Sequence, residues 1–165
     1  MKCLNLFVLL FTILLSSTIQ AQCTGCTSTI TTANSMPQVI SAGQVVCVTS
    51  TGSLSGLILV NGGQLCNEGS ITSASIALTG GSITNLGTMD NQELGITDGT
   101  FTNFGTANID SIAIEGSTIT VTNAGTINSI AIGQAALGAG GIPSFNNTVD
   151  GELTCDSIGV YGGQV

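Results

Sequence analysis

The chain has no histidine, no arginine and no tryptophan, a single tyrosine (Tyr161) and a single lysine (Lys2), against nine Asp and Glu residues. Each absence removes a class of function. With no His, Lys or Arg beyond Lys2, no basic side chain is at hand to abstract a proton or neutralise an acidic sugar, which argues against a polysaccharide lyase. With no basic patch, the surface is not built for nucleic acid or for an anionic membrane. Only 6% of the residues are charged and no 3.6-residue apolar period appears, so amphipathic helices are excluded in favour of strands.

The lone lysine sits in KCLNLFVLLFTILLSSTIQA, which has a basic residue, a continuous apolar stretch and a small residue at Ala21. Residues 1–21 therefore read as a cleaved secretory signal peptide. The apolar run is short for a membrane span and no positive flank follows it, so no membrane insertion is expected after cleavage. A lipid anchor on Cys23 is disfavoured by Gln22, which stands where a small residue would be required. Cleavage leaves nine carboxylates and no side-chain cation, a surface suited to divalent cations or neutral glycans.

What the chain has in place of charge is a repeat. Copies open at Ile58, Ile76, Leu94, Ile112 and Ile130, as in IALTGGSITNLGT and LGITDGTFTNFGT, a constant step of 18 residues. A second apolar column follows two residues on, at Val60, Leu78, Ile96, Ile114 and Ile132. Alternate residues of a strand share one face, so each copy opens with a short strand that points two apolar groups inward. Leu65, Ile83, Phe101 and Ile119 form a further column, and Ile71, Met89, Ala107 and Ile127 another. Together these imply three strands per turn. One such turn cannot bury its own core, but stacked turns can, so the spacing predicts an all-β fold, a parallel β-helix of about 18 residues per coil.

Gly62, Gly80 and Gly116, and the Asn-x-Gly glycines Gly69, Gly87, Gly105 and Gly125, fall between the columns, where Gly and Asn tolerate the left-handed backbone of a corner. Asn67, Asn85, Asn103 and Asn123 are expected to form an amide ladder up one corner. The last interval of that ladder is 20 residues; the pattern places the two extra residues between Ile119 and Asn123 and recovers them before Ile130.

In chain order, 22–38 is a polar lead-in or cap, and 39–165 is the β-helix, interrupted by a small-residue loop at 134–141. Ile158–Val165 repeats IALTGGSI as IGVYGGQV, opening a copy that stops halfway. Either the chain is a fragment of a longer protein or this strand caps the stack. Five cysteines follow the signal. Cys47 and Cys66, 19 residues apart, are the disulfide candidate, since one coil would bring them side by side. Cys23 and Cys26 lack the further ligands of a metal site and point to a local disulfide or a bond to Cys155.

Asp90, Gln92, Asn108 and Asp110 cluster on neighbouring coils and make a candidate calcium site, with Glu93 close by; solvated turn residues are the competing account, and no other cofactor is expected. Thr84, Thr102 and Thr120 form an outward row that would serve as a contact surface, although Thr also suits any water-facing strand. As carboxylate pairs for glycoside hydrolysis, Asp90 with Asp110 or Asp98 with Glu115 can be nominated, without an aromatic platform beside them.

The lead-in with Cys23, then GQVVCVTSTGSLSG, VNGGQLCNEGSI and the TNxGT-type copies, resembles the N-terminal β-helix region of large secreted adhesin-like surface proteins of Bacteroidota. That resemblance implies export, often through type IX secretion with a C-terminal sorting domain that has no counterpart here, and a structural or adhesive role with no catalytic residues. The expected function is a secreted or cell-surface solenoid without enzymatic activity. Its expected partners are glycans, other surface proteins or further copies stacked end to end. The alternatives are a glycan-binding or glycan-hydrolysing β-helix and, more weakly, an ice-binding protein.

Overall fold

The computed structural model describes residues 23–116, 118–135 and 143–161. The signal segment 1–21, most of the 134–141 insertion and the last four residues lie outside them. Among the described residues there are fourteen strands and no helix, hence none long and apolar enough to cross a membrane. Every strand pairing is parallel, and the chain is a β-solenoid.

The strands fall on three faces. The first face begins with β3 (Gln38–Ser41) and β6 (Ile58–Asn61). The second is built on β1 (Ser28–Ile30), β4 (Val45–Val48) and β7 (Gln64–Asn67), and the third on β2 (Ala33–Asn34) and β5 (Ser53–Leu54). From coil three onward the strands run round corners: β8 (Ser70–Asn85) and β9 (Thr88–Asn103) each serve all three faces. β10 (Thr106–Glu115), β12 (Thr126–Ala135) and β14 (Glu152–Tyr161) serve the third and first. β11 (Ile119–Asn123) and β13 (Ser144–Asn147) continue the second. The first coil thus starts at Ser28, inside the stretch expected to be a lead-in. Polar Ser, Thr and Asn hid its strands from a reading keyed to apolar columns.

The alternation of buried and exposed residues puts Ile58, Ile76, Leu94 and Ile112 in one buried stack and Leu65, Ile83 and Phe101 in another. After Glu115, within the fourth copy, the chain shifts by two residues relative to the expected register, and the fifth copy keeps the shift. Val121, not Ile119, sits on Phe101, and Ile132, not Ile130, sits on Ile112. The extra residues lie at the corner between Glu115 and Ile119, not after Ile119, and are not recovered. A two-residue slip keeps every side chain on its own face; Ile-Thr-Val and Ile-Ala-Ile offer an apolar residue in both registers, so periodicity alone cannot separate them.

The corner glycines divide into two kinds. Gly62, Gly80, Gly81 and Gly99 have φ of 79°, 147°, 83° and 103°, a conformation L side chains avoid. Gly116 and the Asn-x-Gly glycines do not. A Cβ on Gly87 would collide with the carbonyl oxygen of Gly69, one on Gly105 with that of Gly87, and one on Gly125 with that of Gly105. These residues are glycine because successive coils close on each other there.

Candidate functional site

The Asn ladder is continuous. Asn67 Nδ2 donates to Asn85 Oδ1 at 2.8 Å, Asn85 to Asn103 at 2.8 Å, Asn103 to Asn123 at 2.8 Å and Asn123 to Asn147 at 2.7 Å. The same amide nitrogens also donate to backbone carbonyls, those of Thr88, Thr106, Thr126 and Glu152. Asn67, Asn85, Asn103 and Asn123 are fully buried, and the ladder meets the requirement that buried amides be paired. It is scaffold, and Asn147 extends it one coil beyond the expected set. A second buried amide, Asn91, accepts from Ser73 N at 3.0 Å. Its Nδ2 has no partner, because the next coil puts Ile109 at the facing position.

Cys47 and Cys66 are register neighbours, as their spacing predicts, but they are not bonded to each other. Cys26 bonds Cys47 and Cys23 bonds Cys66, with Cα separations of 5.7 and 5.6 Å. Facing residues of adjacent parallel strands hold their side chains about 4.8 Å apart, wider than the Cβ separation a disulfide spans. Both cysteines point outward from β4 and β7, and residues 23–27 cross over them as a strap that buries Cys47 to 2% exposure. The Cys23 amide donates to Glu68 Oε1 at 2.8 Å, fixing the far end of the strap. The expected local Cys23–Cys26 bond and the bond to Cys155 are thus both replaced, and Cys155 is a free thiol.

Of the calcium candidates, Asp90 and Asn108 occupy facing positions on adjacent coils. Asp110 and Gln92 are exposed beside them. Asn108 Oδ1, an oxygen a cation would need, accepts from Asn128 Nδ2 at 2.9 Å. Among the described residues no three of His, Cys, Asp and Glu come together as a metal-holding group. One coil further on, Asn108, Asp110, Asn128, Ser129, Thr154 and Asp156, with Ile109 among them, line an open groove of about 280 Å³. Thr154 faces Asn128 across the 134–141 insertion, and Asp156 follows two residues on. Of the nominated carboxylate pairs, Asp110 lies on that groove, while Asp98 accepts a hydrogen bond from the Thr118 hydroxyl.

The Thr row differs from expectation by the same two-residue slip. Thr84 and Thr102 face each other, but Thr102 is followed by Thr122, and Thr120 sits on Thr100. The result is two rows side by side, since Ser82 faces Thr100 in turn. The Thr100-Phe101-Thr102 pair, aligned with Thr120-Val121-Thr122, was the signal in the sequence that a fixed step of 18 obscured.

Comparison with protein-family models, curated proteins and solved structures finds no match.

Proposed function

We propose that this chain is an exported cell-surface or matrix module that acts by shape and contact, without catalysis of its own, as in the adhesin-like proteins its repeat resembles. The observation that carries this is the register: outward side chains recur from coil to coil on a stiff parallel stack, so one chemistry is displayed repeatedly at the strand spacing. The two disulfides fit an oxidising compartment outside the cytoplasm. Glycans and other surface proteins are the partners such a display suits, and end-to-end stacking of copies would lengthen it.

The groove lined by both Asp110 and Asp156 favours one competing account, a glycan-hydrolysing β-helix. The test is adhesion of beads coated with the mature chain to a glycan array and to cell-surface extracts, with reducing-sugar release followed in parallel. Saturable adhesion without sugar release is expected. Hydrolysis abolished by Asp110→Asn would replace the contact role with the enzymatic one.

A further inference from the structure

We propose that the bare part of the second face is a docking surface for a neutral polysaccharide. The inference rests on the contact role above and assigns it a place and a ligand class. On three successive coils this face carries Ser82 and Thr84, Thr100 and Thr102, and Thr120 and Thr122, in register. The residue between each pair, Ile83, Phe101 or Val121, is buried, so the hydroxyls stand on a packed floor. The rows repeat about every 4.8 Å across the strands and about every 6.6 Å along them.

None of these six hydroxyls makes a hydrogen bond within the protein, whereas those of Thr49, Thr51, Ser73 and Ser129 donate to backbone carbonyls. The grid therefore keeps its donors and acceptors for something outside. What that is follows from charge and shape. Neither row contains an ionised side chain: the rows continue into Gln64 and Cys66 on one side and Ser144 and Asn146 on the other. The nine carboxylates elsewhere repel polyanions. Phe104, 48% exposed, follows Asn103 at the corner where this face ends. It offers an apolar ring to the C–H side of a sugar, while the grid offers hydrogen bonds to its hydroxyl rim. Toward the N-terminus the strap ends in a step, a groove lined by Thr24, Gln64, Ser82, Thr84 and Leu86 among others, which bounds the surface.

The experiment uses the mature chain with its disulfides intact and microcrystalline cellulose and chitin as probes, with bound protein measured against free protein. Replacing Thr100, Thr102 and Thr122 together by Val keeps shape and strand preference while removing three hydroxyls; affinity is expected to fall about a hundredfold. Phe104→Ala is expected to weaken binding several-fold, and Thr88→Val with Thr106→Val, on the third face, to leave it unchanged. Circular dichroism and the unfolding midpoint show that each variant is folded. Failure of the wild type to bind either polymer overturns the inference, as does binding that survives the triple substitution. Thermal hysteresis lost in the triple variant, without polysaccharide binding, would reassign the face to ice. If adhesion to cell-surface extracts persists in any of these cases, the contact role stands and only this face is refuted; if adhesion fails altogether, both fall.

Discussion

The first and last described coils of the solenoid are held in different ways. In the first coil Ile30 and Ile40 are buried although, among the described residues, that coil pairs with strands on one side only. Two disulfides tie the preceding strap across the second and third coils, and no charged side chain occurs between Cys23 and Asn67. In the last described coil Phe145 and Leu153 are only partly buried, Ile158 is 60% exposed, and the same stretch of sequence carries Asp150, Glu152 and Asp156. A stacked repeat gains its stability from each neighbour in turn, so an end coil begins with half the support of a middle one. At the N-terminal end covalent bonds supply what a missing neighbour cannot. In the last described coil the Asn123–Asn147 bond and the β12–β14 and β11–β13 ladders hold the strands, and no disulfide reaches it among the described residues.

The strongest test of that contrast removes the covalent bonds. Cys23→Ser with Cys26→Ser opens loops of 43 and 21 residues, and chain entropy assigns about 3–4 kcal/mol to each. Hydrogen exchange read by mass spectrometry should show protection lost over the first three coils and kept over 82–109. Uniform loss along the rod would mean that the ends are not independent, and the contrast would fail.

A smaller effect separates the ends by packing alone. Ile40→Ala should cost about 3 kcal/mol in a denaturant titration, the usual figure for an enclosed isoleucine. Ile158→Ala, with most of its surface already in water, should cost less than about 1 kcal/mol. Equal costs would show that the C-terminal coil is covered in solution.

The contrast also marks how far the residues alone could be read. Between Ile58 and Glu115 each coil lies directly on the last, so an 18-residue step, the apolar stacks and the Asn ladder were all visible in the sequence. Where the physics does not repeat, they were not. The strap crosses the outer face with no period of its own, so Cys47 and Cys66 looked like partners. The Asn-x-Gly glycines are demanded by a carbonyl one coil away, which no local turn rule detects. After Gly116 a slip of two residues kept the apolar pattern intact, which displaced Thr120 from the row it seemed to share with Thr84 and Thr102. The hydroxyl grid was therefore legible as a row of Thr but not as paired rows.

The ladder offers a third comparison of the ends. Asn67→Ala removes an acceptor from the Gly69 amide and leaves Asn85 Oδ1 without its donor, both at a buried corner, so a loss of about 2–3 kcal/mol is expected. Asn147 is exposed, and water can replace its bond from Asn123 and its own donation to the Gly151 carbonyl. Asn147→Ala should therefore cost about 1 kcal/mol or less, measured by the same titration.

The smallest expected effect concerns Cys155, the one free thiol among the described residues. It faces Ser129 on the preceding coil and packs against the edge of the core, where Ser replaces it with little change in volume. Cys155→Ser should shift stability by less than about 0.5 kcal/mol, the range of substitutions that remove no cap, cavity filler or buried bond. The same variant tests the pairing of the other four cysteines. Under non-reducing conditions the mature chain from Gln22 on, which lacks Cys3, should take up one equivalent of a maleimide and its Cys155→Ser variant none, because Cys23, Cys26, Cys47 and Cys66 are all consumed in the two strap bonds. A second reactive thiol would mean that one strap bond is open in solution. The first coil would then rely on packing and strand pairing, as the last described coil does.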